Sequence, residues 1–366
     1  MTPADTNSNR LNMASSIGKI GVRMHGVALT LEANHSPLLA YAKEHLSSLT
    51  ETPVSSPDLV VRCNWTQGDW DSEANPFPVP GNPVLNVIGK RMLGNTDELV
   101  WLDPLRMPGL QLRFFRDYDR LQFDVVYNFH PKKGRLEEYS YKKYFSLMSY
   151  LVYYPLIWYF ENFRGWTVVH ASALAAHYGG IIIGGLGGVG KTTTCVSLMQ
   201  RDGFNLMSEN LIFTDGEFIY PCYEPIRLDQ GSLAMLGAQT KGLTPMAFPE
   251  GLKKKSLFHH SQQGLPEKVR PAAIFLPQFT PTHYVVRVIP EVAAEKMIAM
   301  NRLTRELDDY TWYAAALDMH WPKAGLATRR LEVLQRLMKK VRCFELGIDR
   351  SAGLDVVVKD ILASIQ

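Results

Sequence analysis

Residues 181–201 read IIIGGLGGVGKTTTCVSLMQR, and the fold is decided there. Within this stretch Gly185–Thr192, GLGGVGKT, completes the G-x-x-x-x-G-K-[ST] pattern of a Walker A phosphate-binding loop, or P-loop. The glycines allow consecutive backbone N–H groups to converge on a polyphosphate where a Cβ would obstruct the approach. The preceding apolar run, IIIG, has the character of a buried strand, and TTTCVSLMQR, residues 192–201, that of a helix whose N-terminus faces the anion. Gly203 ends this helix, and FNLMSENLIF, residues 204–213, is the next strand. Strand, glycine loop, helix and strand make a βαβ unit, which implies a parallel sheet with a right-handed crossover.

The loop assigns roles to its own residues. Gly185, Gly187, Gly188, Val189, Gly190, Lys191, Thr192 and Thr193 are the expected nucleotide contacts. Lys191 reaches the β and γ phosphates, and the Thr192 hydroxyl ligates Mg²⁺. The expected cofactors are therefore ATP and Mg²⁺. Two further groups lie where an open α/β sheet binds ligands, outside the carboxyl ends of strands. His170 follows the strand-like WTVV, and Ser208, Glu209 and Asn210 close the strand after the loop helix. Glu209 is placed to hold the metal or to accept a proton, with His170 as a second acceptor and Asn210 as a further metal ligand.

Outward from the loop, the chain divides. Residues 1–16 are polar and read as a frayed tail without the charged start and apolar run of a signal peptide. Residues 17–136 form a strand-rich unit, with DLVVRCNW, ELVWLDP and a hairpin of LQLRFF and LQFDVVYNF around a charged turn. WDSEANPFPVPGNP is a loop. Residues 137–165 are a connecting helical segment, kinked or broken near Pro155, and 166–366 form the loop-bearing domain. In that domain PAAIFLPQ and THYVVRVI read as strands, and 291–308 and 326–342 as helices. The second helix carries an apolar stripe of Leu331, Leu334, Leu337, Met338 and Val341, with its arginines and lysines on a solvated face. LKKKSLFHH, residues 252–260, reads as a lysine-rich loop facing solvent.

Composition narrows the setting. The 366 residues exceed one average domain, and 46% hydrophobic with 20% charged residues excludes a disordered or collagen-like chain. A net charge of +3 gives no reason to expect nucleic acid as a partner. The most apolar run, FSLMSYLVYYPLIWYF at 145–160, falls short of the about 20 residues of a spanning helix, so it reads as buried core rather than membrane contact. Cys63, Cys195, Cys222 and Cys343 are far apart with no C-x-x-C pair, which fits neither a zinc ribbon nor a disulfide framework and suggests a reducing, cytoplasmic setting.

The order VVHASALA, turn, GGLGGVGKTTT and RDGFNLMSENLIF resembles the HPr kinase/phosphorylase superfamily, and within it the HPr-kinase-related kinases of the B type. Gly203, Leu206, Ser208, Glu209 and Asn210 stand where that family has its G-x-x-L-x-[AS]-D-D strand. The resemblance implies an α/β, P-loop kinase domain of the type shared with phosphoenolpyruvate carboxykinases, preceded by the strand-rich unit. It also implies a transferase that moves the γ-phosphoryl group of ATP to a serine hydroxyl of a protein or peptide acceptor, and allows a homo-oligomer. The chain departs from the family at the paired acids, where Glu209 and Asn210 leave one carboxylate instead of two. YPCYEPIRLDQGSL resembles a proline-containing segment of the related kinases, making Glu224 a candidate for metal and Arg227 for phosphate or acceptor. Two other functions stay open: a nucleotide-binding scaffold without transfer, and a small-molecule kinase.

Overall fold

A computed structural model describes residues 17–67, 85–104, 107, 109–116, 121–129, 136–240, 242–248, 255–261, 264–323 and 325–365. The expected tail at 1–16, the loop around residues 70–83, the turn of the hairpin and the first part of the lysine-rich segment lie outside them. The protein is a mixed α/β chain of two compact units, one made of 1–156 and 314–322, the other of 157–313 and 323–366.

Alternating apolar residues build the first unit. Its strands are β1 (Gly18–Met24), β2 (Val27–Ala33), β3 (Thr50–Glu51), β4 (Leu59–Gln67), β5 (Asn86–Gly89), β6 (Met92–Gly94), β7 (Glu98–Leu102), β8 (Leu110–Arg116) and β9 (Leu121–Phe129). Among the described residues they form one sheet in the order β3-β1-β2-β4-β9-β8-β7-β6-β5. The expected hairpin is β8 with β9, registered Leu112 to Val125 and Phe114 to Phe123, so that the apolar residues of both strands share the buried face. Helix α1 (Ser36–His45) was not read from the sequence. It buries Leu38, Leu39, Tyr41, Ala42 and His45, a helical spacing, and crosses between the parallel neighbours β2 and β4.

The apolar run at 145–160 is core. Helix α2 (Leu136–Met148), a π-type turn at Ser149–Tyr153, helix α3 (Tyr154–Tyr159) and a second π-type turn at Phe160–Arg164 follow one another. Leu147, Met148, Leu151, Val152, Leu156, Ile157 and Phe160 are fully buried. No helix among the described residues is long and apolar enough to cross a membrane. Of the two outcomes expected at Pro155, a kink or a break, the break does not occur: helical structure runs on through it. The wider π turn just before it, in which the Tyr154 N–H reaches the Ser149 carbonyl, absorbs the bond that proline cannot make.

The second unit holds the glycine loop. Its elements are β10 (Thr167–Ala176), β11 (Gly179–Gly184), α4 (Lys191–Met199), β12 (Asn205–Ser208), β13 (Leu211–Thr214), β14 (Ile219–Pro221), β15 (Ile226–Asp229), α5 (Gln230–Leu236), β16 (Thr244–Pro245), β17 (Lys255–His259), β18 (Pro271–Phe279), β19 (Tyr284–Arg287), α6 (Pro290–Leu303), α7 (Arg305–His320, its last turns in the first unit), α8 (Leu326–Lys339), β20 (Arg342–Ile348) and α9 (Leu354–Ile365). The main sheet runs β14-β13-β10-β11-β18-β20-β19, with β12 also on β10, and β15, β17 and β16 form a small separate sheet.

Five expectations need correction here. The sheet is mixed rather than parallel: β11, β18 and β20 are parallel neighbours, but β10 pairs antiparallel with β11 on one side and with β12 on the other. The loop strand and the acid strand thus point the same way with a reversed strand between them. FNLMSENLIF is two strands, not one, because its antiparallel pairing with β10 is interrupted by a bend at Glu209 and Asn210 before β13 continues along the same strand. The helix expected at 291–308 divides at Thr304, whose backbone is extended between α6 and α7, and the helix expected at 326–342 ends at Lys339, so Val341 lies beyond its stripe. LKKKSLFHH is not all loop, since Lys255–His259 is strand β17.

Two apolar layers sandwich the sheet. Leu174, Ile181, Ile183, Val196, Leu198, Phe275 and Ile361 pack on the α4 and α9 side. Val169, Ile182, Ile274, Ala293, Met297, Leu334 and Leu337 pack on the α6 and α8 side. The basic face of α8 is not simply solvated. Arg330 donates from Nε to the Oε1 of Glu161 at 3.0 Å and from a terminal nitrogen to Oε2, and the Tyr310 hydroxyl donates to Oε2 at 2.6 Å. Glu161 is 1% exposed, so its charge depends on these partners. Glu161→Ala is expected to lower unfolding free energy by about 3 kcal/mol, measured by urea denaturation, because it leaves the Arg330 guanidinium without its carboxylate.

Candidate functional site

The glycine loop leaves β11 at Gly184 and enters α4 at Lys191. Gly188 and Gly190 have φ of +84° and +87°, a region that a side chain strains to adopt. Gly190 is the residue that caps α4, and the first N–H groups of that helix have no partner in the preceding turn. They face a cavity of about 530 Å³ lined by Gly188–Thr194 from the loop, Arg227, Asp229 and Ser232 from β15 and α5, Lys255, Phe279, Ile348–Arg350, Gly353, Leu354 and Val357. Here the α4 N-terminus carries the positive end of its dipole into a concave surface.

Lys191 is 6% exposed, and its ammonium donates to the Leu186 carbonyl at 2.8 Å. Burial pulls its pKa down from 10.5 to about 8; Glu209 and Glu306 act in the opposite direction, and Arg227 and Lys255 with the burial. The Thr192 hydroxyl donates to Glu209 Oε1. Glu209 Oε2 accepts the Arg227 N–H at 3.4 Å and lies 4.0 Å from Arg227 Nε. The turn that carries Glu209 is pinned from β10, where the Ser172 hydroxyl donates to the Glu209 carbonyl at 2.5 Å.

His170 sits between the loop and the acid. The registers Ala171 to Gly184 and His170 to Leu211 put its position at the start of the loop on one side and beside the Glu209 turn on the other. Its Nδ1 is 3.0 Å from the Gly185 carbonyl. A carbonyl only accepts, so Nδ1 carries the proton and Nε2 keeps a lone pair. Burial first, then Lys191, lowers the imidazole from 6.5 to about 4, with Glu306 opposing. The ring is neutral at pH 7.

Asn210 turns away from the Thr192–Glu209 pair. Its amide donates to Glu224 Oε2 at 2.9 Å. Burial raises Glu224 to about 7, against the pull of Arg227 and Asn210 and with the push of Glu209 and Glu306. Sequence reading missed Glu306 in the first turn of α7, whose carboxylate is 3.3 Å from an Arg227 terminal nitrogen. No motif marks it, because it arrives from about 80 residues beyond Arg227. Thr193 lines the cavity, and its hydroxyl bonds Ser232 at 2.9 Å, which ties α4 to α5, itself capped by Asp229 accepting from the Ser232 N–H at 2.7 Å.

The fold therefore brings Lys191, Thr192, Glu209 and His170 together and adds Glu224, Arg227, Lys255 and Glu306. The described residues hold no group of three or more His, Cys, Asp and Glu side chains that would cage a metal. A hydroxyl and one carboxylate suit Mg²⁺, which keeps waters and takes substrate phosphate oxygens for its other positions. All four cysteines are buried and unbridged, and burial pushes the Cys195 and Cys222 thiols up. No protein-family model matches the chain, and no curated protein matches it.

His170 predicts a pH signature. As pH falls from 6.5 toward 4, the unfolded chain takes up the proton that the folded imidazole refuses, so stability falls over that window. At pH 5 the loss relative to pH 7 is about 2 kcal/mol at about 1.4 kcal/mol per unit. In urea unfolding at the two pH values, His170→Asn, which keeps a donor for the Gly185 carbonyl, is expected to remove that part of the slope.

Proposed function

We propose that this protein is an ATP- and Mg²⁺-dependent phosphotransferase that moves the γ-phosphoryl group to a hydroxyl, most simply a serine of a protein or peptide. We place its second unit with the P-loop kinase domains of the HPr kinase/phosphoenolpyruvate carboxykinase type. The observation that carries this reading is the Thr192 hydroxyl bonded to Glu209 at the mouth of a glycine loop with Lys191 behind it. A hydroxyl in the first turn of the loop helix and a carboxylate just after a nearby strand are the two groups that hold Mg²⁺ in phosphate-loop enzymes.

The division of labour follows from which atoms are engaged. Bound Mg²⁺ supplies charge neutralisation across the phosphates. Thr192 and Glu209 would hold it, while Lys191 and the amides at the start of α4 offset the charge of the transferring group. Glu209 was one expected proton acceptor, yet both its oxygens already accept bonds from Thr192 and Arg227. Glu224, poised at about 7, is the better base at neutral pH. It also restores near Asn210 the second carboxylate that the Glu-Asn pair lacks. His170 holds the loop through the Gly185 carbonyl and offers Nε2 to a hydroxyl proton.

Lys191→Ala is expected to abolish labelling of an acceptor from γ-labelled ATP in a source lysate while circular dichroism stays unchanged; full labelling by that variant would sink the kinase reading. In the wild type, ATP affinity is expected to fall as pH rises through about 8, because the ammonium loses its charge there, and Lys191→Arg removes that inflection. Glu224→Gln is expected to slow transfer by roughly 10²–10⁴-fold and to erase the acid limb near pH 7. The second reading, a nucleotide-responsive scaffold, draws on the engagement of Asn210 with Glu224 in place of a free acid. Tight ATP binding with no labelled acceptor would favour it.

A further inference from the structure

The cavity at the glycine loop continues past the phosphates. In the sheet order, the Glu209 turn follows β12, His170 is on β10, the loop leaves β11, Phe279 ends β18, and Asp349 and Arg350 follow β20. The strands β12, β11, β18 and β20 all point to this one edge. The Thr192–Glu209 contact marks the metal and γ-phosphate end on the β10 side of the loop. On that side α5 is tied to α4 by Thr193 and Ser232, and Gly231, Ser232 and Met235 line that flank of the cavity. The other flank runs over the ends of β18 and β20, where Phe279 and Arg350 line it. From β10 to β20 is three strand spacings, about 14 Å, the scale of a nucleoside triphosphate lying across the sheet edge.

What waits there is a flat, exposed, cationic platform. Phe279 is 40% exposed although it ends an apolar strand, and the Arg350 guanidinium lies 3.9 Å over its ring. Both are held in place. The Thr280 N–H bonds the Ile348 carbonyl at 3.0 Å, joining the two strand ends, and Asp349 Oδ1 accepts from the Ser351 N–H and hydroxyl at 2.8 and 2.7 Å. Leu354 and Val357 give the same end of the cavity an apolar wall. A planar guanidinium stacked on a ring presents a second flat face to solvent, and aromatic bases stack on such faces with little regard to which base they are.

We propose that Phe279 and Arg350 form the nucleoside subsite of this cavity, with the base stacked on the Arg350 face and the Asp349 carboxylate accepting from ribose hydroxyls. The ligand class is a ribonucleoside 5′-triphosphate. This assignment rests on the phosphate-loop reading of Gly185–Thr192. It makes base recognition a matter of stacking, so ATP and GTP bind within a few fold of one another.

Isothermal titration with Mg²⁺ tests it, using ATP, GTP and inorganic tripolyphosphate against the full chain, Phe279→Ala, Arg350→Ala and Met235→Ala. The wild type is expected to bind ATP at least tenfold more tightly than tripolyphosphate. Phe279→Ala and Arg350→Ala are each expected to lose at least fivefold in ATP affinity and nothing in tripolyphosphate affinity. Unchanged ATP binding in both variants overturns the subsite and leaves the phosphate loop intact, provided that tripolyphosphate binds. Selective loss of ATP affinity in Met235→Ala would move the nucleoside to the α5 flank and also overturn it. If neither ATP nor tripolyphosphate binds the wild type, the loop reading itself fails and takes the subsite with it.

Discussion

Strand β10 lies antiparallel between the strand that feeds the glycine loop and the strand that ends at Glu209, and the site depends on that insertion. Two parallel strands separated by one neighbour stand about 10 Å apart. The gap is closed at the sheet edge by the first turn of α4, whose Thr192 reaches Glu209, and is filled by His170 from β10 itself. Because successive residues on a strand face opposite sides, the register of β10 also decides which of its residues do this. Leu174 joins the layer under α4, while Val169, Ala171 and Ala173 pack under α6 and α8. A slip by one residue would remove His170 and Ser172 from the site together.

Around that contact the charges alternate and are mostly buried. Glu209, Arg227 and Glu306 act on both Lys191 and Glu224, and burial opposes the charge on the lysine and on Glu224. Arg227 is the hub: it touches Glu209 and Glu306 and lowers Glu224 while it also lowers His170. Such a cluster is costly to desolvate and is held only by mutual pairing. Its consequence is chemical. A lysine lowered to about 8 and a carboxyl raised to about 7 can change protonation near neutral pH, while the imidazole stays neutral there.

Much of the loop was legible because it is local. Glycines at positive φ, a strand before and a helix after are properties of some twenty consecutive residues, and IIIGGLGGVGKTTTCVSLMQR displays them all. The hairpin of β8 and β9 was legible for the same reason, as was the burial of the run at 145–160. Helix α1 escaped because Ser36–His45 is short and carries little contrast between its faces, so that only packing on β1, β2 and α2 reveals it. Arg330 looked like a surface charge until Glu161 was found buried beneath it.

Sequence by itself determined the strand, glycine loop and helix of residues 181–201, the placing of Glu209 after the strand that follows, and the α/β character of the chain. These follow from backbone freedom at glycine and from hydrophobic period, which act over a few residues. Tertiary structure alone decided that the sheet is mixed, that Asn210 serves Glu224 rather than the Thr192–Glu209 pair, that Glu306 meets Arg227, and that Phe279 lies under Arg350. Each of these joins residues from separate segments through strand order. Strand order is set by which apolar faces can be covered at once, a property of the whole core that no short stretch contains.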